Sequence, residues 1–191
     1  MAKLIFLSGS ARKDSMNKKL AKLASEFAKE FGADAKFIDL KDFEMPIYDG
    51  DLEAEKGLPE NAKKLKAEFT NCHGFFIASP EYNSSFSPLL KNALDWISRA
   101  SEKGESPLIA YKGKVAALAA ASPGGYGGLR GLVPLRMMLG NIGVHVLPDQ
   151  VAIASAHAAF DESGKLKDEK TANMLKGLVK SLNEVAEKVN R

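Results

Sequence analysis

Short apolar runs alternate with amphipathic segments along the whole chain. The apolar runs have the length and composition of buried parallel strands. They cover residues 3–8, 35–39, 74–79, 115–121 and 144–146, and the last run continues near residue 151. The amphipathic segments repeat apolar residues at helical spacing, which predicts helices that bury one face. They cover residues 17–31, 59–71, 88–99, 130–139 and 168–190.

The alternation of strand and helix predicts an α/β fold, in which helices cover both faces of a five-stranded parallel sheet. Both doubly wound strand orders fit this count. Pro134 must lie in the first turn of its helix or kink it. Residues 45–58 are predicted to form a long connection, because Asp, Gly and Pro are frequent there. Since no internal repeat interrupts the pattern, residues 1–191 are expected to form a single domain.

Composition and charge exclude several classes of protein. The 191 residues carry a formal charge of +3, and Lys and Arg are interspersed with Asp and Glu. Without a basic tract, no nucleic-acid partner is expected. No apolar run is long enough to span a bilayer, and the apolar start is too short for a secretion signal, so no membrane association is expected. The single Cys72 excludes an internal disulfide and favours the reducing cytoplasm.

The segment 79–96 is the most informative part of the chain. A polar loop follows the third predicted strand and leads into a helix with Ser87 as its cap and Pro88 at its first position. Loops at the carboxyl ends of parallel strands bind ligands in open α/β sheets. Pro80 and Tyr82 offer flat apolar surface, and Asn83 offers polar contacts. This combination indicates a site for a planar heterocycle.

The loop after the first strand contains Ser10, Arg12, Ser15 and Asn17 and runs into a helix. Backbone N–H groups at a helix start attract anions, and an arginine adds a charge-assisted bond to phosphate. A capped helix start with an exposed arginine explains the same residues equally well. The loop has neither the dinucleotide-binding nor the Walker glycine pattern, which favours a monophosphate over a dinucleotide.

A third loop follows the fourth strand and contains the glycine cluster 124–128. Glycines let a ligand approach the backbone closely, although an isolated cluster is more often a flexible turn. The position favours a functional interpretation here, because the loops after strands one, three and four fall on the same edge of a parallel sheet.

Four motifs together resemble the NAD(P)H-dependent FMN reductase family, which includes quinone, chromate and azo-dye reductases. They are Gly9-Ser10-Ala11-Arg12 with Ser15 and Asn17, Pro80-Glu81-Tyr82-Asn83, Leu90-Lys91-Asn92-Ala93-Leu94-Asp95-Trp96, and Gly127-Gly128-Leu129-Arg130. They occur in the family's order across most of the chain. The resemblance implies a flavodoxin-like three-layer sandwich with strand order 2-1-3-4-5, and FMN and NAD(P)H as cofactors.

The resemblance also implies which residues contact FMN. The phosphate would be bound by the loop after the first strand, the isoalloxazine ring by the loop after the third, and the pyrimidine edge by the loop after the fourth. The residues are, in that order, Ser10, Arg12, Ser15, Met16 and Asn17; Pro80, Glu81, Tyr82, Asn83 and Ser84; and Ser122, Gly124 and Gly125. No metal site and no catalytic side chain are implied. The sequence leaves open whether Glu81 pairs with a positive group or turns outward.

The implied reaction is a two-electron ping-pong transfer from NAD(P)H through FMN to small-molecule acceptors, namely quinones, free flavin, chromate or azo compounds. A homodimer or homotetramer is implied as well. The main alternative is a flavodoxin-type electron carrier that docks on protein partners, and a second is a flavin-free binding protein on the same fold. Cys72-His73, His145 and His157 lack spaced partners, so they are interpreted as packing or surface residues.

Overall fold

Seven strands are present in the computed structural model, which describes residues 1–190. In chain order they are β1 (Lys3–Ser8), β2 (Asp34–Asp39), β3 (Gly74–Ala78), β4 (Glu81–Tyr82), β5 (Ser85–Phe86), β6 (Val115–Ala121) and β7 (His145–Ile153). Five of them form a parallel sheet in the order β2-β1-β3-β6-β7, while β4 and β5 pair separately as an antiparallel hairpin. Numbered within the sheet, this is the order 2-1-3-4-5, so the predicted flavodoxin-like fold class is confirmed.

Helices cover both faces of this sheet. They are α1 (Met16–Glu30), α2 (Gly50–Lys56), α3 (Glu60–Asn71), α4 (Pro88–Ser98), α5 (Leu129–Asn141), α6 (Ala156–Ala159) and α7 (Glu169–Val189). Apolar residues of α1 and α7 pack on one face of the sheet in one buried cluster. Apolar residues of α3, α4 and α5 pack on the other face in a second cluster. Three layers result, with the sheet in the middle.

The central strands explain the continuous apolar runs in the sequence. β3 and β6 are buried along their whole length. Phe76 and Ala78 face the cluster with α1 and α7, whereas Phe75 and Ile77 face the opposite cluster. Helices cover both faces of these strands, so a polar residue at every second position would be buried at a cost in free energy. Neither strand has such an alternating pattern.

The segment 45–58 differs from its prediction as a plain connection, because it contains α2. Asp49 caps this helix by accepting from the N–H groups of Asp51 and Leu52. No residue of α2 is buried, so the helix has no apolar stripe that periodicity could detect. The segment is attached to α4 instead: the Nε1 of the fully buried Trp96 donates to the Pro46 carbonyl oxygen at 2.8 Å.

The structure decides two questions on element bounds that the sequence left open. Pro134 lies inside α5, five residues after its start at Leu129, and therefore not in the first turn. It has no N–H to donate to the carbonyl of Arg130. The last strand is a single element that extends to Ile153 through an irregularity in its pairing with β6. Arg136 bonds the carbonyl oxygens of Leu147 and Pro148 at this irregularity.

Cys72 lies at the opposite end of the sheet from the three loops and is buried, with 3% of the residue exposed. Burial raises the pKa of its thiol to about 11. At pH 8 only about one thiol in a thousand is then ionised, and thiolates are the reactive form. We expect a thiol-modifying reagent to label urea-unfolded protein completely, and native protein at least ~100-fold more slowly. Comparable labelling rates for native and unfolded protein would contradict this assignment.

Candidate functional site

Three loops meet at one edge of the sheet, beyond the carboxyl ends of β1, β3 and β6, which are neighbours in the sheet. They enclose a cleft with two connected parts. The α1 pocket, of about 120 Å³, is lined by Ser10, Arg12, Ser15, Met16, Asn17, Pro80, Glu81, Tyr82, Ala121, Ser122 and Pro123. The α5 pocket, of about 470 Å³, is lined by Glu81, Asn83, Ser84, Ser122, Gly124, Gly125, Tyr126, Gly127, Gly128 and Arg130. Glu81 and Ser122 line both, and every site residue predicted from the sequence lines one or both.

The start of α1 forms one end of the cleft. Ser15 caps this helix, because its Oγ accepts from the N–H of Lys18 at 3.3 Å. The N–H groups of Met16 and Asn17 have no partner within the helix, since the first turn of any helix lacks acceptors. No carboxylate lies in this first turn, and the exposed Arg12 adds a positive charge beside it. This end of the cleft is therefore suited to an anion.

Asn17 joins the first loop to the third. Its Nδ2 donates to the carbonyl oxygen of Ala121, and its Oδ1 accepts from the N–H of Ala121, both at 2.9 Å. Asn17 is buried, with 4% of the residue exposed. One N–H of the amide remains for a ligand, because Nδ2 carries two. Asn17 thus holds the wall of the cleft in place as well as lining it.

The second loop is a hairpin, which the sequence pattern did not reveal. β4 and β5 are connected by Asn83 and Ser84, whose φ values are +51° and +65°. Two-residue hairpins of this kind need positive φ at both central positions. The turn leaves Tyr82 about half exposed, at 49%, and Tyr82 lines the cleft. Ser87, the cap of α4, also donates to the carbonyl oxygen of Gly9 and so ties this loop to the first one.

Ser84 is strained in this turn, because a residue with a Cβ is disfavoured at positive φ. Ser84→Gly should therefore raise the free energy of unfolding by about 0.5–1 kcal/mol, as measured by urea denaturation. Ser85→Gly is the matched control: Ser85 lies in β5 without positive φ, so glycine there should be destabilising. Equal effects of the two substitutions would show that the turn is not strained at Ser84.

Glu81 turns towards α5, which decides the question that the sequence left open. Its Oε2 accepts from the N–H groups of Arg130 at 3.1 Å and Gly131 at 3.3 Å. Its Oε1 accepts from the Arg130 Nε at 2.9 Å, and the Arg130 Nη2 is also 2.9 Å away. Two helix starts thus border the cleft, and only that of α5 is already compensated by a carboxylate. An anionic ligand is therefore favoured at α1.

The glycine cluster divides into two parts with different roles. Gly127 and Gly128 have φ values of +61° and +87°, and a Cβ on either would lie within 2.8 Å of neighbouring atoms. The chain itself therefore requires glycine at both positions. At Gly125 a Cβ would meet nothing within 4 Å, and at Gly124 only the Ser122 Oγ at 3.8 Å. The space beside these two residues opens into the cleft, where a bound group can approach the backbone.

Several residues that line the cleft were outside the predicted set. They are Ala121, Pro123, Tyr126, Gly127, Gly128 and Arg130. Tyr126 is 69% exposed, and its ring centroid lies 5.1 Å from the Arg130 Cζ. The sequence signal for this part of the cleft was the motif Gly127-Gly128-Leu129-Arg130. The sequence analysis assigned no role to its individual residues.

The other candidates for chemistry lie outside the cleft. His73 accepts from the N–H of Lys3 through Nδ1, and burial, assisted by the charge of Lys114, lowers its pKa. Within residues 1–190, no group of three His, Cys, Asp or Glu side chains is arranged to hold a metal ion. No helix in that range is both long and apolar enough to cross a bilayer.

The sheet order and the cleft at the carboxyl edge of the strands define a flavodoxin-like fold. The sequence matches the family described as NADPH-dependent FMN reductase over residues 2–158, and the chain belongs to this family. The predictions of the family, of an enzyme of this family, and of FMN and NAD(P)H as its cofactors are thereby confirmed.

Individual relatives agree with this assignment over nearly their whole length. An NAD(P)H-dependent FMN reductase of Pseudomonas aeruginosa is 33% identical over 182 residues, which are 94% of this chain and 92% of the relative. A quinone reductase of Pseudomonas putida is 35% identical over 172 residues, with 90% and 87% covered. The solved structure of FerB, a flavoenzyme NAD(P)H:(acceptor) oxidoreductase from Paracoccus denitrificans, has a TM-score of 0.82 at 32% identity and 98% coverage of both chains.

Proposed function

We propose that this protein holds FMN in the cleft and transfers two electrons from NAD(P)H to small planar acceptors, with quinones as the first candidates. One observation carries the proposal: every residue that the FMN motifs predict lies around one cleft at the carboxyl edge of the sheet. Relatives named quinone reductase and FMN reductase support the choice of acceptor.

The two ends of the cleft suit the two ends of FMN. The phosphate is assigned to the start of α1, where Ser10, Arg12, Ser15 and the N–H groups of Met16 and Asn17 are available. The ring is assigned to the segment Pro80, Glu81, Tyr82, Asn83 and Ser84, and its pyrimidine edge to Ser122, Gly124 and Gly125. When bound, FMN supplies the chemistry of accepting and donating two electrons.

The protein's own part in the reaction is to bind and orient. Glu81 is the only acidic side chain among the described residues that line the cleft, and its carboxylate is bonded to the start of α5, so we assign it no role as a catalytic acid or base. In the loop after β6, the Ser122 N–H donates to the Ile153 carbonyl oxygen and the Gly124 N–H donates to the Ser122 Oγ, and Pro123 has no N–H. The Gly125 N–H is therefore the backbone donor assigned to stabilise negative charge at the adjacent ring edge. Reductant and acceptor both have to enter by the open side near Tyr82, so they bind in turn. Steady-state rates should therefore follow a ping-pong pattern, with parallel lines in double-reciprocal plots.

An absorbance experiment tests the proposal. FMN is titrated into the purified protein, NADPH is added without oxygen, and a benzoquinone follows. Bleaching by NADPH and recolouring by the quinone are expected. Failure to bind FMN would overturn the proposal. Bound flavin that resists both nicotinamides would support the electron carrier instead, although such carriers are strongly acidic and this chain has a net charge of +3.

The remaining proposals concern assembly and location. We expect the chain to form a single domain, which would unfold in one cooperative transition. We also expect the protein to be located in the cytoplasm. A homodimer or homotetramer is supported by an apolar stripe on α5, in which Leu129, Val133 and Met137 are exposed at four-residue spacing. Light scattering after gel filtration measures the assembly, and a monomer at micromolar concentration would remove this proposal.

A further inference from the structure

The α5 pocket contains a cation that the FMN assignment does not use. Among the described residues that line this pocket, Arg130 is the only one with a positive charge. The pocket is the larger part of the cleft and joins the α1 pocket at Glu81 and Ser122. A molecule that stacks near Tyr82 can therefore extend one of its ends towards Arg130.

Arg130 is held in a fixed position with one side open. Its Nε and Nη2 contact the Glu81 carboxylate, which is itself fixed by the N–H groups of Arg130 and Gly131. The Glu81 side chain is 10% exposed and that of Arg130 is 60% exposed. The inner edge of the guanidinium is therefore bonded, and its outer edge faces the solvent. Such a preorganised arginine loses little conformational freedom when it binds an anion.

Tyr126 supplies a flat surface beside this arginine. Its exposed ring lies 5.1 Å from the Arg130 Cζ, and both residues line the same pocket. A guanidinium next to an aromatic ring matches a ligand that combines an aromatic base with a phosphate, because the ring stacks on the base and the guanidinium donates hydrogen bonds to the phosphate oxygens.

The chemistry of the pocket also indicates which kind of anion it would bind. The N–H groups at the start of α5 are already bonded to Glu81, so recognition depends on the arginine side chain. The negative charge of Glu81 also offsets the positive charge of Arg130. A doubly charged phosphate monoester with several acceptor oxygens gains most from the remaining outer edge of Arg130. A single carboxylate or a bridging phosphodiester gains less.

We propose that the α5 pocket binds the adenosine end of NADPH, with Arg130 on the 2′-phosphate and Tyr126 against the adenine. NADH lacks this phosphate, so the protein discriminates in favour of NADPH. The inference rests on the proposed function, because it takes the nicotinamide coenzyme to be the reductant that enters this cleft.

Calorimetric titration with NADP⁺ and NAD⁺ tests the inference without turnover. FMN binding is measured first, and the FMN-loaded protein is then titrated with each nucleotide. The wild type should bind NADP⁺ about 10- to 100-fold more tightly than NAD⁺, the range that one charge-assisted contact supplies. Arg130→Gln should bring this ratio close to unity. Arg130→Lys keeps a charge near Glu81 without the fork of donors and should give an intermediate ratio.

Arg99→Gln is the matched control. Arg99 also bonds a carboxylate, that of Glu53, and lies 5.7 Å from the centroid of an aromatic ring, that of Tyr48, but it does not line the cleft. The nucleotide ratio of this variant should equal that of the wild type. Thermal unfolding of all variants identifies any that fail to fold.

Two results would overturn the inference: a wild-type ratio close to unity, or a wild-type ratio that persists in Arg130→Gln. A failure of the proposed function can be told apart from a failure of this inference, because protein that does not bind FMN is detected in the FMN titration that comes first. The nucleotide ratio is then measured on the protein alone, where it still decides the role of Arg130.

Discussion

Gly127→Ala should lower the free energy of unfolding by about 2–5 kcal/mol, the combined range for left-handed backbone strain and overpacking. The φ of Gly127 is +61°, and an added Cβ would lie 2.7 Å from the carbonyl carbon of Ile153 and 2.8 Å from the backbone of Ala152 and Ala154. These are backbone atoms at the end of β7, so no flexible side chain can move away. Urea denaturation of the purified variant measures the loss.

Gly125→Ala is the matched control, two residues away in the same loop. Its Cβ would meet no atom within 4 Å, and its φ is not positive. Its stability should stay within ~0.5 kcal/mol of the wild type, as for other surface substitutions. Its affinity for FMN should fall, because the added methyl group occupies the space assigned to the ligand. Equal stability losses for the two variants would show that the glycines do not differ in role.

Arg12→Ala should weaken FMN binding by about one to two orders of magnitude, or ~1.5–3 kcal/mol, the value of a hydrogen bond to a charged group. Arg12 is exposed at the start of α1, beside N–H groups that no carboxylate compensates. The loss should shrink as salt is added, because the interaction is a partly solvated ion pair. Fluorescence titration of FMN gives both affinities.

Lys13→Ala is the control for this variant. Lys13 is the next residue, is exposed and positive, and does not line either part of the cleft. Its removal lowers the general positive field without removing a contact, so FMN affinity should change by less than about threefold. If the affinity of Arg12→Ala for FMN equalled that of the wild type, the assignment of the FMN phosphate to the start of α1 would be wrong.

The pattern of apolar residues was sufficient to predict the bounds of those elements that bury a continuous apolar surface. The bounds predicted for β1 and β6 match the structure residue for residue, because both strands are covered on both faces and their buried interior is apolar, with Lys3 and Ser8 at the two ends of β1. It failed for α2, which has no fully buried residue and packs on the core only through the half-buried Leu52. It also failed for the β4–β5 hairpin, whose two-residue strands are too short to alternate. The hairpin turn also lacks the glycine that usually marks positive φ.

The loops that form the cleft were located from the sequence because their place follows from the fold. Once the strands are parallel and the order is 2-1-3-4-5, the loops after β1, β3 and β6 must share one edge. The strand order itself came from the family motifs, since alternation alone fits both doubly wound orders. The site residues were named by those motifs, and the structure places all of them around one cleft.

The sequence by itself determined the α/β class, the extent of the covered strands and the family, because each of these is encoded in local residue patterns. Only the tertiary structure decided the direction of Glu81, the bonds between Asn17 and Ala121, and which glycines the chain requires. Asn17 and Ala121 are separated by 104 residues, Glu81 and Arg130 by 49, and Gly127 and the backbone atoms that its Cβ would meet by 25 to 27. Side-chain contacts over such separations depend on how the layers pack, and no local pattern specifies that.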